Sequence, residues 1–328
     1  MKFTCTYTDQ NGTQEIGDFI TKITWSGDES QAARKIEFSV AYNPKDGGFT
    51  NLSINVGGRV GLTVDTFPIF SGRIFYRKRS TDTFTFDFTA YDDAIYLAKS
   101  KIYKLFDKVS VTDAIKQICN EIGIQTADDI LNIPTVVTFV ADGMTCTEAF
   151  EKLLSLAKAD LKKKYAVVFI NGAINIVERG TLIENYVASN DTNVEKTDHS
   201  ESIEDMVNRV KLVDEKGNVQ AVIGNDNDVK QYGVLQDIYK LQPTRDGQPD
   251  NMTQAKALLK SVATESSLTS NYGNVQCITG YSITVQEEQL KGNFYIKADR
   301  HTFENNNHTM QLTLEYIEGT VTNVEGNK

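Results

Sequence analysis

The stretch Thr83-Phe84-Thr85-Phe86-Asp87-Phe88-Thr89 alternates an aromatic side chain with a polar one, position by position. Successive side chains of an extended chain point to opposite faces. The pattern therefore predicts a strand with three rings on one buried face and polar groups on the other. Working outward, Leu52, Ile54 and Val56 alternate in the same way before Gly57-Gly58, and Asn43-Pro44 with Asp46-Gly47-Gly48 mark a loop. Residues 1–100 read as a small all-β barrel or sandwich.

Past Tyr91 the period changes. Ser110-Val111-Thr112-Asp113 has the form of a capping box, and Ala114, Ile115, Ile118, Cys119 and Ile122 fall on one face of the helix it opens. Gly123 stops that helix. A second box, Thr145-Cys146-Thr147-Glu148, opens a helix with Phe150, Leu153, Leu154 and Ala157 inward. Two apolar runs, Tyr165 to Ile170 and Ala173 to Val177, then flank Asn171-Gly172, a pair that tolerates the positive φ angles of a type I′ hairpin turn. Residues 101–183 are expected to form a compact α+β domain.

Residues 184–206 are polar and acidic and read as a linker. From Asn208 strands return, with Val210 and Leu212 inward and a turn at Asp214 to Asn218 containing Gly217. Gln242 to Asp250 reads as a loop, followed by a third helix carrying Ala255, Leu258, Leu259 and Val262 on one face. Phe294 to Glu318 reads as strand, turn at Glu304 to Asn307, and strand, with Met310, Leu312 and Leu314 inward. The expected class is α+β, mainly β. It comprises a first β-barrel at 1–100, the α+β domain at 101–183, and a second barrel at 184–240 and 275–320. A loop-and-helix insertion at 241–274 interrupts the second barrel, and 321–328 form a C-terminal tail.

With 34 basic against 44 acidic residues, the formal net charge is -10, which disfavours sequence-specific binding to a phosphate backbone. The four cysteines, Cys5, Cys119, Cys146 and Cys277, include no C-x-x-C pair and read as reduced, buried thiols. Met1 to Asn11 lacks the apolar run of a secretory signal, and Ala166 to Ile170 is far short of the roughly 20 residues of a membrane span. Neither export by its own signal nor membrane insertion is expected.

Catalytic patterns are sparse. There is no H-E-x-x-H, G-x-S-x-G, P-loop or G-x-G-x-x-G after a strand. His301 and His308 flank a turn that could bring them together, with Asp299 or Glu304 as a third metal ligand. A pair of polar hairpin residues is the favoured reading. The acidic pairs Asp92-Asp93 and Glu287-Glu288 read as solvated surface. Arg73-Ile74-Phe75-Tyr76-Arg77-Lys78-Arg79 is the one dense basic run. Its alternation puts Arg73, Phe75, Arg77 and Arg79 on one strand face, either as a solvated edge or as a patch docking an acidic neighbour. No catalytic, cofactor-binding or metal residue is assigned.

Several segments resemble the XkdQ/YqbQ family, the hub proteins of PBSX-like and other contractile tails. They are Ser71-Gly72-Arg73-Ile74, Phe86 to Asp92, Tyr96 to Ser100, Asn208 to Leu212, Tyr232 to Gln236, Asp299 to Phe303 and His308 to Leu314, in that order along nearly the whole chain. The resemblance implies a structural baseplate hub, not an enzyme, with two tube-like barrels per subunit. Three subunits would form a ring joining the tail tube to the central spike. Implied partners are further copies of the chain, the spike, the tube or tube-initiator protein and other baseplate proteins. The implied location is the bacterial host cytoplasm during assembly, then the virion or phage-like particle. A carbohydrate- or receptor-binding β protein of such a particle, or a tail-associated cell-wall hydrolase, are the alternatives. The resemblance also makes the two histidines a structural feature of a barrel hairpin.

Overall fold

The alternation around Phe86 becomes a strand in the computed structural model, which describes residues 2–243, 250–288 and 290–317. Seven strands precede the first α-helix: β1 (Phe3–Asp9), β2 (Gly12–Glu15), β3 (Ile20–Asp28), β4 (Lys35–Ala41), β5 (Arg59–Val64), β6 (Phe67–Ser80) and β7 (Thr85–Asp92). They hydrogen-bond in the order β3-β4-β7-β6-β5-β1-β2. Their inward side chains form one core around Tyr7, Ile23, Trp25, Ile36, Phe38, Leu62 and Phe88. Phe38 and Phe88 face each other across the β4–β7 pair and stack at 5.1 Å.

Two expectations for this lobe fail locally. Phe84 does not join the buried stripe. It closes the turn before β7 with φ 52° and is 52% exposed, while Phe86 is half-buried and Phe88 buried. Leu52 to Val56 is not a strand: Ile54 is buried but Val56 is 59% exposed. Side chains hold that segment instead, Tyr7 Oη accepting from the Asn55 N–H at 3.1 Å and Arg77 Nη1 donating to the Ile54 carbonyl at 3.0 Å.

The middle of the chain follows its local signals closely. After α1 (Ile95–Lys99) come β8 (Lys101–Ser110), α2 (Val111–Ile122), β9 (Val136–Thr145), α3 (Cys146–Leu161), β10 (Tyr165–Ile170) and β11 (Ala173–Glu178). Ser110 Oγ accepts from the Asp113 N–H, and Gly123 takes the left-handed conformation past α2. Thr145 and Glu148 form a reciprocal capping box at α3. Asn171 (φ 53°) and Gly172 (φ 80°) make the two-residue turn between β10 and β11. Both helices, the paired β8–β9 ribbon and the β10–β11 hairpin share one core, including Ile115, Ile118, Phe150 and Leu153.

The expected linker is folded. β12 (Thr181–Ser189) and β13 (Val194–Ser202) occupy most of residues 184–206, and β12 buries Ile183, Tyr186 and Ala188. The strands expected to return to a second barrel at Asn208 do not do so. β14 (Arg209–Val213), β15 (Val219–Gly224) and β16 (Gln236–Lys240), with α4 (Asp226–Tyr232) between the last two, form a separate three-stranded sheet in the order β15-β14-β16. The predicted turn is present, with the Gly217 N–H donating to the Asp214 carbonyl at 3.0 Å. The third helix is shorter than expected. α5 (Asn251–Lys256) ends before Leu258 and Leu259, which pack half-buried against Val210 and Leu212 from a turn. Most of the Gln242–Asp250 loop, the end of the Phe294–Glu318 segment and the 321–328 tail lie outside the described residues.

β17 (Ala263–Ser270), β18 (Tyr281–Gln286), β19 (Lys291–Glu304) and β20 (Asn307–Tyr316) are the last strands among the described residues. Asn305 and Asn306, both at positive φ, turn β19 into β20. Met310, Leu312 and Leu314 point into a second β core with Ile283, Val285 and Phe294. The chain divides into two compact units, residues 1–197 with 267–328, and residues 198–266. Within the larger unit the two β lobes are not isolated barrels. The 14-residue β19 pairs with β18 near its start and with β3 from Ala298 onward, which makes one continuous sheet over two cores. The fold is mainly β with few helices.

Candidate functional site

The β19–β20 hairpin places His301 opposite Met310 and Phe303 opposite His308, so both histidines point inward. They are 0% and 4% exposed, and thus belong to the core and not to a polar hairpin surface. Their rings hydrogen-bond directly, His301 Nδ1 to His308 Nε2 at 2.9 Å. His301 Nε2 lies 3.1 Å from the Cys277 carbonyl, which can only accept. That contact puts a proton on Nε2; in the neutral ring Nδ1 then accepts from His308 Nε2, and in the protonated ring it donates to it. A metal would need both lone pairs aimed at one centre, whereas here one nitrogen is proton-bearing and aimed at the other. Among the described residues no group of three His, Cys, Asp or Glu side chains could hold a metal ion. Glu304 is exposed at the strand end. The third histidine, His199, contacts Ser266 Oγ at 2.9 Å within the smaller unit.

Asp299 does join the histidines, as an ion-pair partner. Its Oδ1 accepts from Arg34 Nη1 at 2.9 Å and from the Thr279 N–H and Oγ1 at 2.7 and 2.8 Å; its Oδ2 faces Arg34 Nη2 and, at 3.4 Å, His301 Nε2. Burial pushes this carboxyl up, but the Arg34 guanidinium and His301 outweigh it and hold it below the usual carboxylate range. Arg34 also lies 4.0 Å above the Trp25 ring. Its backbone N–H donates to Asp92 Oδ2 at 3.0 Å, and the Ala94 N–H donates to Asp92 Oδ1 at 3.1 Å. Asp92 is therefore not solvated surface: it is 1% exposed, and burial raises its pKa to about 7. Asp93 pairs with Arg59 at 2.8 Å. Of the other acidic pair, Glu288 is exposed and Glu287 accepts from the Leu290 N–H at 3.1 Å.

All four cysteines are buried and free, and burial raises the thiols of Cys5 and Cys119 to about 12. Such thiols stay protonated and are poor nucleophiles. In the cleft between Gly27–Gln31 and β10, Glu29 is held by Arg179 at 2.9 Å and Asp28 caps the Ser30 N–H at 2.8 Å.

The basic run lies on β6, but a bulge between Ile74 and Tyr76 shifts the register against β7. The alternation therefore breaks. Arg73 sits opposite Tyr91, whereas Arg77 and Arg79 sit opposite Phe88 and Phe86, on the face of the buried rings. Arg77 lies over Phe86 at 5.4 Å and Arg79 over Tyr42 at 5.0 Å. Phe75, the extra residue, packs edge-on against Tyr91 at 5.7 Å.

Exposed apolar faces escaped the sequence reading. On the two-stranded β8–β9 sheet Leu105 opposes Val140, and with Tyr103 and Val136 they are 48% to 76% exposed, while Phe106 and Phe139 stack on the other face. In the smaller unit Val222 and Ile238 flank Lys211 on an open sheet face. The Tyr103-Lys104-Leu105-Phe106 alternation carried the first signal, but alternation alone does not say which face is covered.

The YQBQ-like family matches residues 23–315. Two proteins of Bacillus subtilis, YqbQ and the phage-like element PBSX protein XkdQ, are each 25% identical to the chain over 310 residues, covering 90% of it and 91% of each relative. The 43 kDa tail protein of prophage MuSo2 from Shewanella oneidensis shares the fold with a TM-score of 0.67 at 11% identity, over 96% of this chain and 98% of that one.

Proposed function

The chain belongs to the YQBQ-like family, and from that premise we propose that it is the hub of a phage-tail baseplate, a ring joining the tail tube to the central spike. At the coarser level it is a phage-tail, baseplate-type structural protein, associated with the virion or a phage-like particle. The observation that carries the hub reading is the pairing of β3 with β19. It sets two sheet-rich lobes, each with its own core, side by side in one sheet of a single chain. Two such lobes in each of three chains give six around a ring, the number a sixfold tube needs on one side, while the three chains match a threefold spike on the other.

The partners on this reading are further copies of the chain, the spike, the tube or its initiator and other baseplate proteins, assembled in the host cytoplasm. The reading includes no catalysis, and the chain should leave a peptidoglycan zymogram uncleared. The test is molar mass by light scattering, alone and with co-expressed spike and tube proteins. A species containing three 36.6 kDa chains is expected once the spike is present. Persistent monomer in every mixture overturns the hub.

A further inference from the structure

β6 is longer than the strand that covers it. β5 pairs with Phe67 to Arg73, and the Gly57-Gly58 backbone meets Ile74. From Tyr76 to Ser80 the strand pairs with β7 on one side, and among the described residues nothing makes a backbone hydrogen bond to its other side. This free edge has an unusual charge. Arg73, Arg77 and Arg79 form no ion pair among the described residues, although the chain as a whole carries a formal charge of -10. The arginines are also pre-positioned. Arg73 donates to the Gly57 carbonyl, Arg77 to the Ile54 carbonyl and Asn55 Oδ1, each at 3.0 Å, and Arg79 stacks on Tyr42. Phe84, 52% exposed, stands at the tip of the same hairpin.

We propose that the Tyr76–Ser80 edge of β6 is a docking edge for an extended acidic strand of a protein partner. An added strand would satisfy the open backbone groups of this edge. Alternate residues of a strand lie about 7 Å apart, so carboxylates at every second position of the partner match the spacing of Arg77 and Arg79. A second copy docking by the same edge would set Arg77, Lys78 and Arg79 against their own equivalents, a like-charge pairing that opposes association. The bare alternative is that the charges only keep the edge unpaired. This inference does not depend on the hub reading.

The test uses the full chain and a short synthetic peptide alternating glutamate with valine. The controls are a lysine analogue, a proline-interrupted analogue and a DNA oligonucleotide. Saturable binding of the acidic peptide is expected, at least about tenfold tighter than either peptide analogue. Amide hydrogen exchange should slow at Tyr76–Ser80 of the unaltered chain. R77E/R79E should weaken binding by a further factor of about ten or more. Protection elsewhere, equal affinity for the lysine peptide, or tighter binding of the oligonucleotide overturns the proposal. So does self-association of the free chain that R77E/R79E abolishes. The exchange footprint decides the matter even if the double variant does not fold.

Discussion

Arg34 forks onto both carboxylate oxygens of Asp299, a residue 265 positions further along the chain; the Arg34 side chain is 9% exposed and that of Asp299 0%. The pair joins the segment between β3 and β4 to β19, where the sheets of the two lobes meet. A buried ion pair is costly to desolvate, so its value to the fold lies in what happens when one partner is lost.

Asp299→Ala leaves the Arg34 guanidinium buried without its anion, and also strips the Thr279 N–H and hydroxyl of their acceptor. A loss of about 3–5 kcal/mol is expected in urea denaturation, with Arg34→Met falling in the same range. The double variant should lose much less than the sum, because it removes the uncompensated charge along with its partner. Strict additivity would show that the two side chains do not act as a unit.

Two buried titratable groups pull stability in opposite directions with pH. Burial, then the neighbouring His301, lowers His308 from 6.5 to about 3. Below 6.5 the unfolded chain binds a proton that folded His308 refuses, so its contribution is full above that pH and is lost downward toward about 3. Asp92 runs the other way. Its pKa rises from 3.8 to about 7, so the folded state holds a proton through that window, and its contribution is lost as pH rises from 3.8 through about 7. His308→Gln should therefore flatten the acid-side loss, and Asp92→Asn the loss toward neutrality. Denaturation midpoints across that range check both, and slopes changing in the same direction would contradict the assignment.

The features that sequence gave away are those set by a few adjacent residues. Ser110 and Thr145 start helices with their own side chains, and Asn171-Gly172 turns a hairpin through its own φ angles. The features it concealed depend on a distant partner or a broken period. β12 changes register against β18 between Leu182 and Val187, so its buried Ile183, Tyr186 and Ala188 follow no steady alternation and the segment reads as a linker. The bulge at Phe75 moves Arg77 and Arg79 to the face opposite that of a regular strand. Asp92 reads as surface because its donors, Arg34 and Ala94, give backbone amides, which no residue type announces. His301 and His308 were legible as neighbours but not as core, since the strands that bury them lie elsewhere in the chain.

Two glycines separate steric from conformational need. A Cβ at Gly72 would lie 2.1 Å from the Tyr91 carbonyl oxygen, a backbone atom in the β6–β7 ladder that cannot move aside alone. At Gly172 a Cβ meets nothing within 4 Å, but φ is 80°. Gly72→Ala should cost about 1–3 kcal/mol or more by forcing the strands apart. Gly172→Ala should cost only about 1 kcal/mol, for the left-handed backbone. Thermal melts of the two variants should rank in that order.

Asn208 explains physically why the Asn208-Arg209-Val210 segment stands out in the sequence. The side chain is buried; Nδ2 donates to the Gly233 carbonyl at 2.7 Å and Oδ1 accepts from the Leu235 N–H at 3.0 Å. Its backbone carbonyl accepts from the Asn225 N–H at 3.0 Å, so one residue fixes both ends of the β15–α4–β16 connection. Asn208→Ala orphans two backbone groups in a small unit whose core rests on Val210, Leu212 and Ala255. A cost of about 1–3 kcal/mol is expected, and a unit this small has little to spare. Amide exchange should accelerate across β14 to β16, while amides over the Phe38–Phe88 core keep their protection. Uniform acceleration throughout the chain would mean that residues 198–266 unfold only with the rest.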